Sequence, residues 1–412
     1  MTRQNRTRQA SSTQQIALGK NPERSREHNR RVVLDVVRMH GSLGRMHIAK
    51  LTQLTAQAVA NIVDELVSDN LLMEIGRLRS GRGQPPIQFA VNPDGALTMG
   101  IEIAADHMVI VVLDLAGQIR AQTIVYVKDT TPEHIIPRFV GEVDTVRNTF
   151  SSKLLGIGVV MPGPFEIDGM TSVGPTTLPG WGAIDAARVL SEASGEMVIV
   201  ENDATAAAVG ERLFGAGLAI SDFCMIYFGA GVGLGVIHEG TPFRGAFGNA
   251  GEIGHIVVAP HGKLCPCGQR GCLERYASLH ALKEKLADAG ITDSEFADLE
   301  ALHAADHPLL REWIAQAADY LGPMVSMLEN ILDPETVMLG GAVPDAIIDD
   351  ILAAMQDLPV SVASRRQRAL PRVQRGQTGQ LTAALGAAAL PLFEVVTPKL
   401  DTSSTGVAHH AA

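Results

Sequence analysis

The sequence predicts an α/β protein with a basic helical head, a two-stranded wing and a body of two similar α/β lobes. Three observations lead there. The charge changes sign along the chain. A strand–loop–strand scheme recurs, once near residue 97 and again near residue 222. Three of the four cysteines fall within eight residues, in "CPCGQRGCLE" (265–274).

A chain of 412 residues exceeds one ordinary core, so two or three domains are expected. With 46% hydrophobic and 19% charged residues, the composition is globular and excludes a disordered or coiled-coil protein. No apolar run reaches the length of a membrane span. The N-terminal "MTRQNRTRQASSTQQ" lacks the apolar segment of a secretory signal. Its Arg and Ser content has a faint transit-peptide character, but a disordered basic tail over 1–24 is the simpler reading. A flexible tail is expected over 396–412. The expected location is the cytoplasm, where thiols stay reduced, so the cysteines point to metal or thiol chemistry rather than disulfides.

Residues 1–83 carry 14 Lys and Arg against 7 Asp and Glu, a net of +7; the remainder carries 20 against 38, a net of −18. A basic head on an acidic body suggests that the head meets a polyanion. A solvated basic tail explains the charge equally well. The pattern from Ser25 to Leu72 is helical. Val32, Val33, Val36, Val37 and Met39 recur on one face of a first helix, and "HGSLG" (40–44) breaks it. A short second helix over roughly 45–51 carries Met46, Ile48 and Leu51. Thr55 then caps a third helix running to about Ser68. Val59, Ile62, Val63 and Leu66 face inward on it; Ala56, Gln57, Ala60 and Asn61 face out.

That outer face is small and uncharged. The amides of Gln57 and Asn61 can bond bidentately to adenine in the major groove. Strands at 71–78 and 86–92, joined by "RSGRG", make a wing with Arg77, Arg79 and Arg82 near its tip, suited to phosphates or the minor groove. A generic three-helix domain accounts for 25–70 alone. Wing and charge together point to a winged helix-turn-helix DNA-binding domain over 25–92.

"NPDG" (92–95) marks the boundary to the body. "ALTMGIEIA" and "HMVIVVLDLAG" read as two strands joined by a short loop, and "DFCMIYFGAGVGLGVIHEG" (222–240) repeats the scheme. An internal duplication follows, with a cleft between the lobes where a small ligand sits. In "MVIVENDATAAAVGERLFG" (197–215) a buried strand ends at Glu201 and an Ala-rich helix begins at once. Asn202 and Asp203 therefore lie at the carboxyl end of a strand, where open α/β sheets bind ligands. Asp203 can accept a proton from a hydroxyl there. Plain helix capping explains the pair as well.

Cys265, Cys267 and Cys272 lie in a glycine-rich loop that can wrap three sulfurs together. Three thiolates need a fourth ligand to close a tetrahedron around zinc. His255, followed by an apolar "IVV" strand that would hold it rigidly, is preferred over His261. The result is a closed, structural Cys3His site, one Zn2+ per chain. A redox dithiol and unliganded thiols are the alternatives. Cys224, in an apolar strand, is a core residue.

These residues together resemble the ROK family of repressors, open reading frames and sugar kinases. "CPCGQRGCLE" matches the family's Cys-x-Cys-Gly-x-x-Gly-Cys-x-Glu signature, "GEIGH" its Glu-x-Gly-His motif, and "END" its sugar-binding segment. "LPGW" (178–181) and "LGG" (339–341) also fit. The likeness covers about 97–395, and the head looks like that of the family's repressor branch. The resemblance implies an actin-like (RNase H-like), two-lobed ATPase-type fold with bound zinc. It implies that Asn202, Asp203, Glu252, His255 and Glu274 contact a sugar, His255 ligating zinc through one nitrogen and meeting the sugar with the other. Thr177 replaces the Asn usual before Pro-Gly-Trp.

Kinases of the family carry Asp-x-Gly-Gly-Thr in the first loop. Here Glu102-Ile103-Ala104-Ala105-Asp106 stands instead. Backbone amides approach phosphates closely only where glycine permits. Asp106 adds a like charge, which at ~4 Å repels by ~4 kcal/mol at an effective dielectric near 20. In the second loop, "GAGVGLG" (229–235), Ala230 stands where kinases usually carry Thr. Nucleotide binding is expected to be lost, leaving no enzyme, with Asp203 a vestigial base. The expected function is a sugar-responsive repressor, a homodimer or homotetramer whose paired heads read a pseudo-palindromic operator. A functional sugar kinase with a fused DNA-binding domain is the alternative. A third reading makes the acidic body a docking platform for a protein partner.

Overall fold

The computed structural model describes residues 22–77, 86–162, 178–182, 184–291, 298–363 and 367–397. Helix α1 (Pro22–His40) opens the head. It begins inside the stretch expected to be a tail (1–24), with Pro22 at its first position, where the fixed φ suits a helix start. A two-residue strand β1 (Leu43–Gly44) leads into α2 (Arg45–Thr52), and Gln53, in the left-handed region at φ 56°, ends that helix. Thr55 then caps α3 (Ala56–Ser68), its hydroxyl accepting the Ala58 N–H at 3.2 Å. Strands β2 (Leu72–Arg77) and β3 (Ile87–Val91) pair antiparallel, and β1 lies on the far side of β3.

The head's core is Val33, Leu34, Val37, Ile48, Val59, Ile62, Val63, Leu66, Leu72 and Phe89. On α1 the buried stripe is Val33, Leu34 and Val37, whereas Val32, Val36 and Met39 are only half-buried. Leu34 is absent from the expected stripe, which followed the valines rather than the helical repeat. On α2 only Ile48 is buried; Met46 and Leu51 are exposed.

The body holds two five-stranded sheets of one topology. The first contains β4 (Ala96–Ile103), β5 (His107–Asp114), β6 (Ile119–Tyr126), β7 (Lys153–Val160) and β8 (Val198–Glu201), in the order β6-β5-β4-β7-β8. The second contains β9 (Phe223–Phe228), β10 (Val232–His238), β11 (Thr241–Pro242), β12 (Thr336–Gly341) and β13 (Val373–Arg375), in the order β11-β10-β9-β12-β13. In each, the first three strands form an antiparallel meander and the last two add in parallel. The same five-strand path run twice is an internal duplication in structure as well as sequence.

Helices α4 (Pro132–Thr149) and α5 (Ala186–Ser194) cover one face of the first sheet. After the short α7 (Glu274–Ala277), α8 (Leu279–Asp288) and α9 (Leu299–Ala304), the long α10 (Pro308–Leu332) and α11 (Asp345–Ala354) cover one face of the second. Two helices cross between the sheets. Helix α6 (Asp203–Phe214) leaves β8 of the first sheet but packs on β9 and β10 of the second. Helix α12 (Thr382–Val396) follows β13 of the second sheet but packs on β4, β5 and β7 of the first.

The two pack on each other through alanine and glycine, because any larger side chain would hold the layers apart. A Cβ on Gly386 of α12 would run into the Ala206 carbonyl of α6, and on the opposite side of α12 one on Gly158 of β7 would run into the Ala387 carbonyl. The buried Glu211 of α6 ties the crossing together, accepting the N–H groups of Ala216 (2.7 Å), Gln377 (2.7 Å) and Thr378 (2.8 Å). The expected C-terminal tail at 396–412 starts within the end of α12; residues 398–412 lie outside the described residues. Among the described residues no helix is long and apolar enough to cross a membrane.

Head and body share one core. A single cluster of buried side chains contains Val33, Val37 and Leu66 of the head with Leu213, Ala383 and Phe393 of the body.

Candidate functional site

Asn202, Asp203, Glu252, His255 and Glu274 line one cavity, together with Gly231 and Gly233 of the second loop. Each arrives by a different route. Asn202 follows β8 and caps α6, its side-chain oxygen accepting the Thr205 N–H at 2.7 Å. Capping and ligand binding are therefore compatible: the oxygen serves the helix and the amide nitrogen is the group left for a ligand. Asp203 opens α6, one oxygen accepting the Ala204 N–H at 2.8 Å. Glu252 and His255 bracket a short 3-10 turn, Ile253–His255. Glu274 starts α7 directly after the last clustered cysteine.

Crowded carboxylates resist ionisation in a desolvated cleft. Burial pushes Asp203 up to about 6, with Glu252 adding to the rise and the Ala204 N–H opposing it. Burial likewise raises Glu252, against the pull of His255. Glu102, at the end of β4, is pushed up to about 7 by burial, with nearby Asp203 adding and His107 opposing. Tyr227, buried on β9, feels both Glu102 and Asp203, and its hydroxyl stays protonated. Sequence reading did not single out Tyr227, which resembles any other core aromatic. It also missed Arg244, whose Nε donates to Glu201 at 2.6 Å, bridging the two lobes one residue from Asn202. In the first loop, Asp106 points its carboxylate at His107 Nδ1, 2.6 Å away.

His255, Cys265, Cys267 and Cys272 bring one donor atom each to within 4.8 Å of the others. Cys265 Sγ lies 3.6 Å from His255 Nδ1, and Cys267 Sγ 3.6 Å from Cys272 Sγ. Tetrahedral zinc, with bonds of about 2.3 Å to sulfur and about 2.0 Å to nitrogen, requires edges close to these. The chemistry agrees. Burial raises the Cys265 and Cys272 thiols, with Glu274 adding to the rise, and a cation bound among them favours the thiolate forms. His261 takes no part; it occupies a turn at φ 67°. The expected "IVV" strand after His255 does not form. Val257 makes a single bridge to Cys272, so a cysteine-loop contact holds the segment in place of a sheet. Cys224 is buried in β9, its thiol pushed up to about 12 by burial.

On the head, Gln57 and Asn61 are exposed on α3, one turn apart, and Gln57 Nε2 donates to Asn61 Oδ1 at 3.0 Å. Arg77 ends β2 and is exposed; Arg79 and Arg82 lie outside the described residues, as does Thr177. Part of the head's basic charge is internal. Arg30 bridges Glu65 (3.1 Å) and Asp69 (2.6 Å), clamping α1 to α3, and Arg45 pairs with Asp64 while lying 4.8 Å over the Phe89 ring.

Residues 98–393 match the ROK family. The xylose repressor of Caldicellulosiruptor bescii is 29% identical over 329 residues, covering 76% of this chain and 82% of the relative. The crystal structure of a ROK family transcriptional regulator, a homologue of the E. coli MLC protein, superposes with a TM-score of 0.71 at 22% identity. It covers 90% of this chain and 98% of that one, a likeness of fold. A ROK family glucokinase from Streptomyces griseus, solved with glucose and AMPPNP, gives a TM-score of 0.61 at 28% identity over 72% of this chain and 99% of its own. The body thus has the two-lobed, actin-like kinase-type fold.

Proposed function

Since the chain belongs to the ROK family, we propose that it is a sugar-responsive DNA-binding repressor. One observation carries this reading: a head exposing Gln57 and Asn61 on α3 is joined through a common core to a body whose cavity gathers Asn202, Asp203, Glu252, His255 and Glu274. The relative named for xylose repression supports it. The winged helix-turn-helix over 25–92 reads the operator, with Gln57 and Asn61 at base edges and Arg77, Arg79 and Arg82 at the backbone or minor groove. The body over 97–395 senses the sugar, and pairing of two chains matches a two-fold operator.

Within the cavity, the carboxylates of Asp203, Glu252 and Glu274 accept from sugar hydroxyls, and the Asn202 amide donates. His255, Cys265, Cys267 and Cys272 hold a zinc ion whose contribution is to cross-link the loop, with no open position for chemistry. His255 offers its second nitrogen to the sugar. Glu252 and Glu274 then sit on segments fixed by that link.

The same residues define the effector's charge. Among the described lining residues are three carboxylates and no Lys or Arg. The stretch 163–177, outside the described residues, contains none in its sequence. Arg244 is engaged by Glu201. A phosphate there meets like charges with nothing to offset them. The effector is an uncharged sugar.

The test is a thermal-shift series with D-xylose, D-glucose, N-acetylglucosamine and their phosphate esters, followed by displacement from a duplex that the protein selects from a random pool. A binding sugar at 100 times its Kd adds ~2.7 kcal/mol, a rise of several degrees in Tm. An uncharged sugar is expected both to raise Tm and to release the duplex. Release by a phosphate ester in place of its parent sugar overturns the reading.

A further inference from the structure

We infer that Arg38 and the C-terminal end of α6 form the joint through which sugar occupancy of the cavity reaches the DNA-binding head; this rests on the regulator reading above. Helix α6 has the cavity at one end and the head at the other. Asn202 and Asp203 stand at its N-terminus. At its C-terminus the Leu213 carbonyl accepts a hydrogen bond from Arg38 Nη1 at 2.7 Å, from a residue 175 positions away on α1. Carbonyls in a helix's last turn lack intrahelical partners, so this bond fills an open valence of α6. A 12-residue helix is a rigid rod of about 18 Å, and displacement at one end appears at the other.

The joint is buried and charged. The Arg38 side chain is 6% exposed, and its Nη2 donates to Asp35, 12% exposed, at 3.0 Å. Arg212 lies beside them, its Nη1 on the Leu218 carbonyl at 2.9 Å. Among the described residues, Arg38 Nε and Arg212 Nε are buried without a hydrogen-bond partner.

A second anchor gives that shift its effect. The Asn92–Gly95 turn joins β3 of the head to β4 of the first sheet. There Asn92 Nδ2 donates to the Asn70 carbonyl (3.0 Å) and Ser152 Oγ to that of Asp94 (3.0 Å). The turn rides with the first sheet, whereas α6 packs on the second. The head is therefore pinned to both lobes, and a sugar that changes their spacing moves one pin against the other. Arg38 is a positioning residue in this scheme: it touches neither sugar nor DNA.

The experiment compares the full-length protein with Arg38→Met, using whichever monosaccharide of D-xylose, D-glucose and N-acetylglucosamine most raises the melting temperature. Sugar affinity is measured by calorimetry, and operator affinity with and without saturating sugar. The unaltered protein is expected to lose at least ~10-fold in operator affinity on sugar binding, a coupling of typical size. Arg38→Met is expected to keep sugar affinity within ~2-fold while that loss shrinks to ~2-fold or less. By reciprocity, operator DNA then also stops weakening sugar binding. Arg38→Lys, which keeps the charge but not the two-pronged contact, gives an intermediate loss and serves if the Met variant does not fold. Release that is full-sized in both folded variants overturns the joint while leaving the regulator intact. Absence of release in the unaltered protein overturns the regulator reading itself, and the joint falls with it.

Discussion

The two sheets of the body follow the same strand path, yet they handle polar chemistry in opposite ways. The hairpin of the first, between Ile103 and His107, contains no glycine and puts Glu102 and Asp106 at its ends. The hairpin of the second, between Phe228 and Val232, is Gly229-Ala230-Gly231, and its chain goes on to supply Glu252, Glu274 and the four clustered donors, His255 among them. Among the described residues, the polar side chains the first lobe offers the cavity are Asn202 and Asp203 at the end of β8, beside Pro162 after β7. Duplication copies a backbone path. It does not copy side-chain chemistry: the second copy carries a Cys3His cluster able to hold a metal, and among the described residues the first has no counterpart.

The largest effect tests that asymmetry. Cys267→Ser removes one of four ligands, and a structural zinc site contributes folding energy directly. Zinc per chain is expected to fall from about one toward zero, and the main unfolding transition to drop by ~5 °C or more, equivalent to several kcal/mol. Hydrogen exchange is expected to quicken around 252–274 and stay unchanged across β4–β7. Uniform quickening in both sheets shows that the cluster supports the whole body; retained zinc shows that the ligand set is different. Elemental analysis and peptide-level exchange separate these results.

How far the sequence revealed this asymmetry depends on the range of the contacts involved. Strand pairs such as 96–103 with 107–114 were legible because apolar runs bounded by tight turns write a hairpin locally. The Thr55 cap was legible for the same reason. The metal donors were legible because three of the four lie within eight residues. What was hidden is long-range. Nothing in "ATAAAVGERLF" says that α6 crosses to the other sheet, since alanine and glycine suit any close helix packing. The bridges Arg244–Glu201 and Arg38–Leu213 span 43 and 175 positions. The "IVV" segment failed differently: its β-branched residues suit a strand, but among the described residues it pairs only through the single Val257–Cys272 bridge.

A second effect concerns Glu102, the first lobe's own titrating group. Its folded-state pKa of about 7 lies above the ordinary carboxylate value of 4.5. The native protein therefore holds a proton that the unfolded chain releases. Stability from this group is fully present below pH 4.5 and is lost as pH rises through 7. Glu102→Gln keeps the shape and removes the charge. Its Tm is expected to match the unaltered protein near pH 4.5 and to exceed it by a few degrees at pH 8. Equal Tm values across pH 5–8 show that Glu102 is solvated in the folded state, and the contrast between the lobes then narrows to the metal.

The smallest effect asks whether the first hairpin alone separates this body from a nucleotide-binding one. Ala104→Gly, Ala105→Gly and Asp106→Thr together give the first loop the glycines and hydroxyl of the family's kinases. The glycines allow backbone N–H groups to approach phosphate oxygens, and the threonine replaces a repelling carboxylate with a donor. Asp106 is presently held by His107, so its removal also frees that imidazole to face an anion. Ala230 remains in the second loop, so recovery is expected to be partial: a tightening of AMPPNP affinity by ~10-fold, or ~1.4 kcal/mol, measured by calorimetry with magnesium present. Sugar affinity is expected to stay constant, because no altered residue lines the sugar cavity. If the unaltered protein already binds AMPPNP at micromolar concentration, the first loop is not a barrier. Asp203, with its carboxyl near pKa 6, is then the candidate base, and ATP-dependent sugar phosphorylation that is lost in Asp203→Asn makes the body a kinase that also carries a DNA-binding head.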